Sequence, residues 1–138
     1  MIDEAGEFGA RVARHLREEK VVWLTTVTPS GAPLPRPVGF LWDGDDTVYV
    51  YSQSGTRIRN IGRNPKVTLN FGGDGSGGDI VVLSGTAEVV ESRPSAAENT
   101  AWIAKYAADW ERGGMTAESF AERFSVPLRI RISDVHGR

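Results

Sequence analysis

The stretch that decides the fold is Val48–Phe71, which reads VYVYSQSGTRIRNIGRNPKVTLNF. Its first four residues are good strand formers, and a polar turn, SQSGT, follows them. Either Ser54 or Thr56 can cap a short helix that runs to about Gly62. Asn64-Pro65 ends that helix, and apolar and polar residues then alternate to the end of the stretch. The pattern predicts a strand, a short helix and a second, half-buried strand.

Positive charge is concentrated in this stretch, although the whole chain has a formal net charge of −2. No acidic residue occurs between Thr47 and Gly73. The same segment contains four basic residues: Arg57, Arg59, Arg63 and Lys66. The residue types alone leave two interpretations open, a site for an anion and a solvated basic surface helix.

A possible anion cradle lies at the start of the predicted helix. It would consist of free backbone N–H groups and the side chains of Ser52, Ser54, Thr56 and Arg57. On a helix, Asn60 shares a face with Arg57, whereas Arg59 and Arg63 share a different face. One face can therefore hold a phosphate while the other meets solvent or a longer anionic tail.

The composition indicates one soluble globular domain, residues 1–138, with 40% apolar and 25% charged residues. No apolar run approaches the ~20 residues of a membrane-spanning helix, so no membrane partner is expected. The chain has no Cys, and the acidic start MIDEAGEFG is unlike a secretory signal, so we expect a cytoplasmic protein. The slightly acidic balance argues against nucleic acid as a partner.

Two histidines, His15 and His136, stand far apart in the sequence. This arrangement argues against a histidine-based metal site and against a Ser-His-Asp triad. We interpret His15 as a residue on the surface of a helix and His136 as part of a loose tail. The sequence therefore predicts neither a metal site nor an acid–base or nucleophilic catalytic residue.

The rest of the chain supplies further strands and flanking helices. Pro33, Pro35 and Pro37 alternate, which suits a strand edge beside a ligand or a partner better than a central strand. The loop GGDGSGGD after Phe71 is best interpreted as a flexible hairpin connection, because no P-loop Lys or helix follows it. The remaining predicted elements are a helix over Glu4–Glu19, strands over Val21–Val27, Val38–Trp42 and Ile80–Val90 with a bulge at Gly85, helices over Pro94–Trp110 and Thr116–Phe124, and a last strand over Leu128–Ile132.

These elements predict a small antiparallel barrel with helices at its side. Trp102, Tyr106 and Trp110 stand four apart in the third helix, and such a stripe is more often core than a cofactor platform. The fold class expected from the pattern is therefore α+β.

The order and spacing of several motifs in the chain resemble those of one superfamily, the pyridoxamine-phosphate-oxidase-like split β-barrels. More narrowly, the chain resembles the actinobacterial branch that binds the deazaflavin coenzyme F420. The motifs cover most of the chain: Gly31-x-Pro33, Asp43-Gly44, R-N-I-x-x-N-P over Arg59–Pro65, Ser84-Gly85-Thr86-Ala87, Lys105-Tyr106-Ala107 and the closing VPLRIRI.

The resemblance implies a split β-barrel of six to seven mostly antiparallel strands with flanking helices. It also implies a homodimer with two cofactor sites at the subunit interface and the cofactor ring along the second and third strands. It implies a cofactor-binding set of Pro37, Val38, Tyr51, Ser52, Gln53, Ser54, Thr56, Arg57, Arg59, Asn60, Gly78 and Asp79. The position of Arg57 usually carries Lys in such proteins, but Arg keeps the charge. Relatives often have Trp at the position of Gly39, so Gly is expected to leave more room over the ring.

The implied function is an F420-dependent oxidoreductase that reduces a small organic acceptor, with the cofactor supplying the chemistry. Two alternatives remain: an FMN-binding oxidoreductase of the same fold, and a cofactor- or tetrapyrrole-binding protein without turnover. The basic helix favours F420, because its oligoglutamate tail is polyanionic and FMN has no such tail.

Overall fold

Residues 2–138 are described by the computed structural model, and they contain seven strands in one antiparallel sheet. The strands are β1 (Val22–Val27), β2 (Pro33–Val38), β3 (Leu41–Trp42), β4 (Thr47–Ser52), β5 (Lys66–Asn70), β6 (Val81–Val89) and β7 (Val126–Gly137). The α-helices are α1 (Glu7–Glu18), α2 (Thr56–Arg63), α3 (Thr100–Arg112) and α4 (Ala117–Arg123), and a short 3-10 helix spans Ala96–Glu98. The strand order is β2-β1-β5-β6-β7-β4-β3.

The sheet curls because its two edge strands are joined by only two residues, Gly39 and Phe40. β2 pairs with β1 at one edge, and β3 pairs with β4 at the other. Three Cα–Cα steps span at most about 11 Å, so the two edges must come together. We call Gly39-Phe40 the barrel split. The predicted split-barrel α+β fold is therefore confirmed, although the expected continuous strand over Val38–Trp42 is wrong at the split.

The stretch Val48–Phe71 folds as β4, α2 and β5, as its pattern predicts. The predicted capping of α2 by Ser54 or Thr56 is wrong, because the N-cap is Gly55 and no side chain caps the helix. Gly55 has φ of +133°, a conformation open to glycine at little cost because it has no Cβ. The turn geometry therefore decided the cap.

Two other parts of the prediction hold in detail. β2, with its three prolines, is an edge strand, as their missing N–H groups require. The ladder between β6 and β7 shifts register between Ser84 and Gly85, which confirms the predicted bulge.

Two apolar clusters make up the core. The first fills the barrel and includes Leu24, Phe40 and Leu69, with Val12 and Leu16 of α1 packed on it. The second lies between the sheet and α3, and it contains Tyr51, Ala96, Trp102, Tyr106 and Trp110. The aromatic stripe of α3 is therefore buried, as predicted.

Both histidine interpretations are wrong. His15 is half-buried: its ring stacks on Phe71 with centroids 5.0 Å apart, and its Nε2 lies 2.9 Å from Asp79 Oδ1. His136 belongs to β7, where it pairs with Val82. Isolated histidines gave no sequence signal for either partner, because both contacts join distant parts of the chain.

The helix predicted over Pro94–Trp110 is divided: the 3-10 helix ends at Glu98, and Asn99 caps α3 by accepting a bond from Trp102 N–H. Among residues 2–138, no helix combines the length and apolar character that crossing a membrane requires.

Candidate functional site

A cavity of about 600 Å³ opens between the barrel split and the helical side of the sheet. Its volume falls within the range of sites for small ligands and cofactors. The wall comes from the segment before β1, from β2 and the barrel split, from the end of β4, and from α2, α3 and α4. The lining residues are Lys20, Val21, Pro37, Val38, Gly39, Tyr51, Gln53, Arg57, Trp102, Tyr106, Asp109, Phe120 and Phe124.

Arg57 supplies the positive charge in this wall. It is half-buried in the first turn of α2, and its Nη1 donates to Ser52 Oγ at 2.7 Å. Ser52 Oγ in turn donates to the carbonyl of Gln53 at 2.8 Å, so the serine fixes the guanidinium to the end of β4. The Nε of Arg57 is buried and has no hydrogen-bond partner among the described residues.

The charged neighbour that bears on Arg57 is another cation, Arg36. Burial, and then the positive charge of Arg36, lower the pKa of the Arg57 guanidinium below its ordinary value. Arg36 lies on the edge strand β2 and donates to the carbonyl of Pro35 at 2.8 Å. Two guanidinium groups without a carboxylate between them favour an anion from outside the chain.

The structure brings part of the sequence-predicted set to the cavity. Five of these residues line it: Pro37, Val38, Tyr51, Gln53 and Arg57. Ser52 does not line the cavity, but its hydroxyl accepts the hydrogen bond from Arg57. The exposed residues Ser54, Thr56 and Arg59 lie at the same end of α2, where Arg59 Nη2 donates to Thr56 Oγ1 at 3.1 Å.

Asn60 lies on the buried face of α2, is fully buried, and is not among the residues lining the cavity. Its Nδ2 donates to Thr26 Oγ1 at 3.2 Å, and its Oδ1 accepts from Arg63 at 3.1 Å. In this chain Asn60 therefore ties α2 to β1 and supports Arg57 from a distance.

Gly78 and Asp79 are not among the residues lining this cavity. The carboxylate of Asp79 accepts from Arg11 at 2.8 Å and contacts His15 at 2.9 Å, which ties the glycine-rich loop to α1. The bonds from His15 and Arg11 lower the pKa of Asp79 below its ordinary value.

The aromatic half of the cavity was missed by the sequence analysis. The rings of Phe120 of α4 and of Phe124, its C-cap residue, stack with centroids 4.5 Å apart, and the Phe120 ring lies 4.9 Å from that of Trp110 of α3. Trp102 is 1% exposed, and its indole N–H has no partner among the described residues. The aromatic stripe of α3 was the sequence signal that could have predicted this wall. Trp102 and Tyr106 belong both to the buried core and to the lining of the cavity.

Whether Gly39 leaves more room over a cofactor ring stays a prediction, but α3 limits the space directly beside this glycine. A methyl group on Gly39 would lie 3.0 Å from Oη and 3.2 Å from Cζ of Tyr106, and 3.5 Å from Trp102 Cζ2. The space beside the glycine is therefore already filled by α3.

Two lysines, Lys105 and Lys20, lie next to the barrel split. Lys105 Nζ donates to the carbonyl of Phe40 at 2.7 Å and lies 3.6 Å from the centroid of the Phe40 ring. Burial, and then the charge of Lys20, lower the pKa of Lys105 to about 8. Lys20 Nζ forms an ion pair with Asp109 Oδ2 at 3.1 Å at the mouth of the cavity.

A sequence model of the pyridoxamine 5'-phosphate oxidase family matches residues 8–136. The chain belongs to this family. Among curated proteins, a sequence comparison found no match for this member of the pyridoxamine 5'-phosphate oxidase family.

Solved structures of similar fold extend over nearly the whole chain. Rv2991 from Mycobacterium tuberculosis superposes with a TM-score of 0.69 at 19% identity, over 91% of this chain and 81% of that protein. An F420 reductase superposes with a TM-score of 0.65 at 18% identity, over 91% and 96% of the two chains. HutZ, a heme storage protein from Vibrio cholerae, superposes with a TM-score of 0.62 at 20% identity, over 95% and 93%. At these identities the likeness concerns the pyridoxamine 5'-phosphate oxidase fold.

Proposed function

We propose that this protein is an F420-dependent oxidoreductase, which transfers hydride from the reduced deazaflavin to a small organic acceptor. The observation that carries the proposal is Arg57, a half-buried cation that lines the cavity, is oriented by Ser52 and feels the positive charge of Arg36. A buried charge without a counter-charge is costly, and an anionic ligand group would remove much of that cost.

The residues present fit a phosphate-bearing cofactor. Arg57, with Arg36 and the N–H groups at the start of α2, would hold the phosphate. The aromatic and apolar wall, including Tyr51, Trp102 and Tyr106, suits a planar ring. Bound there, a deazaflavin supplies the hydride chemistry, and the chain supplies orientation and exclusion of water.

Two outward-facing bases favour F420 over FMN. Arg59 and Arg63 are exposed on α2, and their recorded side-chain bonds go to the neutral groups Thr56 Oγ1 and Asn60 Oδ1. Both guanidinium groups therefore keep their charge available to a carboxylate-rich tail. The similarity to a structure described as an F420 reductase supports the same choice.

The proposal includes a homodimer with the cofactor at the subunit interface. The edge strand β2 exposes Pro33, Pro35 and Pro37, and Trp23 on the neighbouring strand is 42% exposed. An apolar surface of this kind beside the cavity suits a second copy of the chain. In that assembly the partner would complete the cofactor site.

Titration with F420 and with FMN, each at low and high ionic strength, tests the proposal. We expect F420 to bind more tightly, with an advantage that shrinks in salt because exposed charges are screened over ~10 Å at 0.1 M. Arg59→Ala with Arg63→Ala should abolish the advantage without affecting FMN. Equal affinities that do not respond to salt would refute the choice of F420.

An FMN-dependent oxidoreductase is the second candidate. The positive charge of Arg36, which acts on Arg57, favours it, because two cations at one site suit a doubly charged phosphate monoester as in FMN. Tighter binding of FMN than of F420, with loss of FMN affinity in Arg36→Ala, would establish this candidate instead.

A further inference from the structure

The barrel split lacks the backbone partners that a continuous strand would provide. β2 ends at Val38 and β3 begins at Leu41, so neither ladder includes Gly39 or Phe40. Phe40 is nevertheless fully buried, and buried N–H and C=O groups require partners.

Side chains of α3 supply those partners. The N–H of Phe40 donates to Tyr106 Oη at 2.7 Å. Tyr106 Oη lies within donating distance of two carbonyls, that of Lys20 at 2.8 Å and that of Phe40 at 3.0 Å. Lys105 Nζ also donates to the carbonyl of Phe40. One phenol therefore joins the split to Lys20, two residues before β1.

The same phenol also shapes the cavity. Tyr106 is 8% exposed and lines the cavity beside Gly39. Its ring lies 4.8 Å from that of Trp102, and the pair forms a continuous aromatic surface. The close approach of Tyr106 Oη leaves no space for a larger residue at position 39. The hydroxyl bond and the glycine together determine how near this surface comes to the split.

We propose that Tyr106 is a positioning residue that holds the barrel split through its hydroxyl and thereby sets the ring-binding wall of the cavity, with Gly39 as the matching specificity-determining position. The class of ligand group that this wall selects is a planar ring, independently of the phosphate end at Arg57. The ring part of the inference rests on the proposed function, whereas the hold on the split does not.

Two probes separate the ends of the cavity: riboflavin, a ring without phosphate, and ribitol 5-phosphate, a phosphate without a ring. Tyr106→Phe should weaken riboflavin binding about tenfold and leave ribitol 5-phosphate within about twofold. Arg57→Ala should show the opposite pattern. Tyr49→Phe, a tyrosine of β4 that is not among the lining residues, is the matched control and should alter neither.

Amide hydrogen exchange of Phe40 provides a readout that needs no ligand. Its N–H should exchange about tenfold or more faster in Tyr106→Phe than in the parent or in Tyr49→Phe, because its partner is lost. Gly39→Ala should destabilise the parent and be tolerated in Tyr106→Leu, where the contacts to the ring are absent.

The outcomes distinguish this inference from the proposed function. Unchanged Phe40 exchange in Tyr106→Phe, or equal weakening of both probes, would overturn the inference and leave F420 binding standing. Failure of the parent to bind F420, FMN and both probes would refute the proposed function and the ring part, and the exchange measurement alone would then decide the role of Tyr106.

Discussion

At the scale of single residues, Arg57 is the side chain that we propose binds an anionic ligand group. Ser52 orients its guanidinium, while burial and Arg36 disfavour its charge. These unfavourable terms persist in the free protein, so we expect Arg57 to contribute little to stability and more to ligand binding. An anion that accepts hydrogen bonds from the guanidinium would offset both the cost of burial and the repulsion from Arg36.

We predict that Arg57→Ala weakens F420 or FMN binding by about 1.5–3 kcal/mol, the value of a hydrogen bond to a charged group. Arg57→Lys should cost much less, because the charge stays. The free energy of unfolding without ligand should change by no more than about 0.5 kcal/mol, since the lost bond to Ser52 is offset by relief from Arg36. Isothermal titration and thermal unfolding measure the two quantities.

Arg123→Ala serves as the control, because that exposed arginine of α4 is not among the cavity-lining residues. Parent-like binding by Arg57→Ala would place the phosphate elsewhere, with Arg129 and Arg131 of β7 as the next candidates.

Lys105 couples the barrel split to pH. Its pKa is about 8 in the folded chain and about 10.4 when unfolded, so the unfolded state binds more protons between these values. The free energy of unfolding should therefore rise with pH from about 8 towards about 10. Lys105→Met should lack this rise. Unfolding in urea across the pH series measures it, and an identical rise in the variant would contradict the assignment.

Tyr106 sets the upper pH limit of this rise in the free energy of unfolding. Burial raises the pKa of Tyr106 above its ordinary value, so the unfolded chain loses the phenolic proton first and stability should fall above pH ~10. The same urea series on Tyr106→Phe should show no such fall.

At the scale of elements, α2 is fastened to the sheet by one buried amide. Asn60 joins it to Thr26 of β1, and both side chains are at most 1% exposed. The helix has only eight residues, too few to be stable alone, so its position depends on this tie and on Ile61 in the core.

We predict that Asn60→Ala lowers the free energy of unfolding by about 1–3 kcal/mol, because it leaves the buried Thr26 hydroxyl without its partner. Ligand affinity should fall as well, since Arg57 moves with α2. Arg63→Ala, which removes the exposed partner of the same amide, is the control and should cost no more than about 0.5 kcal/mol. Equal stability of the two variants in urea would show that the tie to Thr26 is not what holds α2.

At the scale of the whole molecule, we predict a homodimer with twice the 15.0 kDa mass of the chain. The apolar surface around Trp23, Pro35 and Pro37 should be buried in it. Trp23→Glu should shift the protein towards monomer in light scattering, because a charge in an apolar interface is costly. Val89→Glu, at an exposed position on β6, should leave the mass unchanged. A parent that stays monomeric at micromolar concentration would refute the prediction.

The sequence by itself determined most of the strands and helices and the concentration of positive charge around Arg57, but not the break at Gly39-Phe40 or the division of the third predicted helix. These follow from local patterns: alternation in β5, the prolines of β2, the turn before α2 and the absence of acids around Arg57. Such signals lie within a few residues of one another, so no knowledge of distant contacts is needed.

Only the tertiary structure decided which distant residues these side chains contact. The pairing of Asp79 with His15, the approach of Arg36 to Arg57 and the bonds of Tyr106 to Phe40 join residues far apart in the chain. Closure of the barrel at Gly39-Phe40 brings α3 over the split, and this turns a stripe that reads as core into a cavity wall. Whether a buried aromatic face also meets a ligand depends on where the sheet edges come together, and a local pattern carries no information about that.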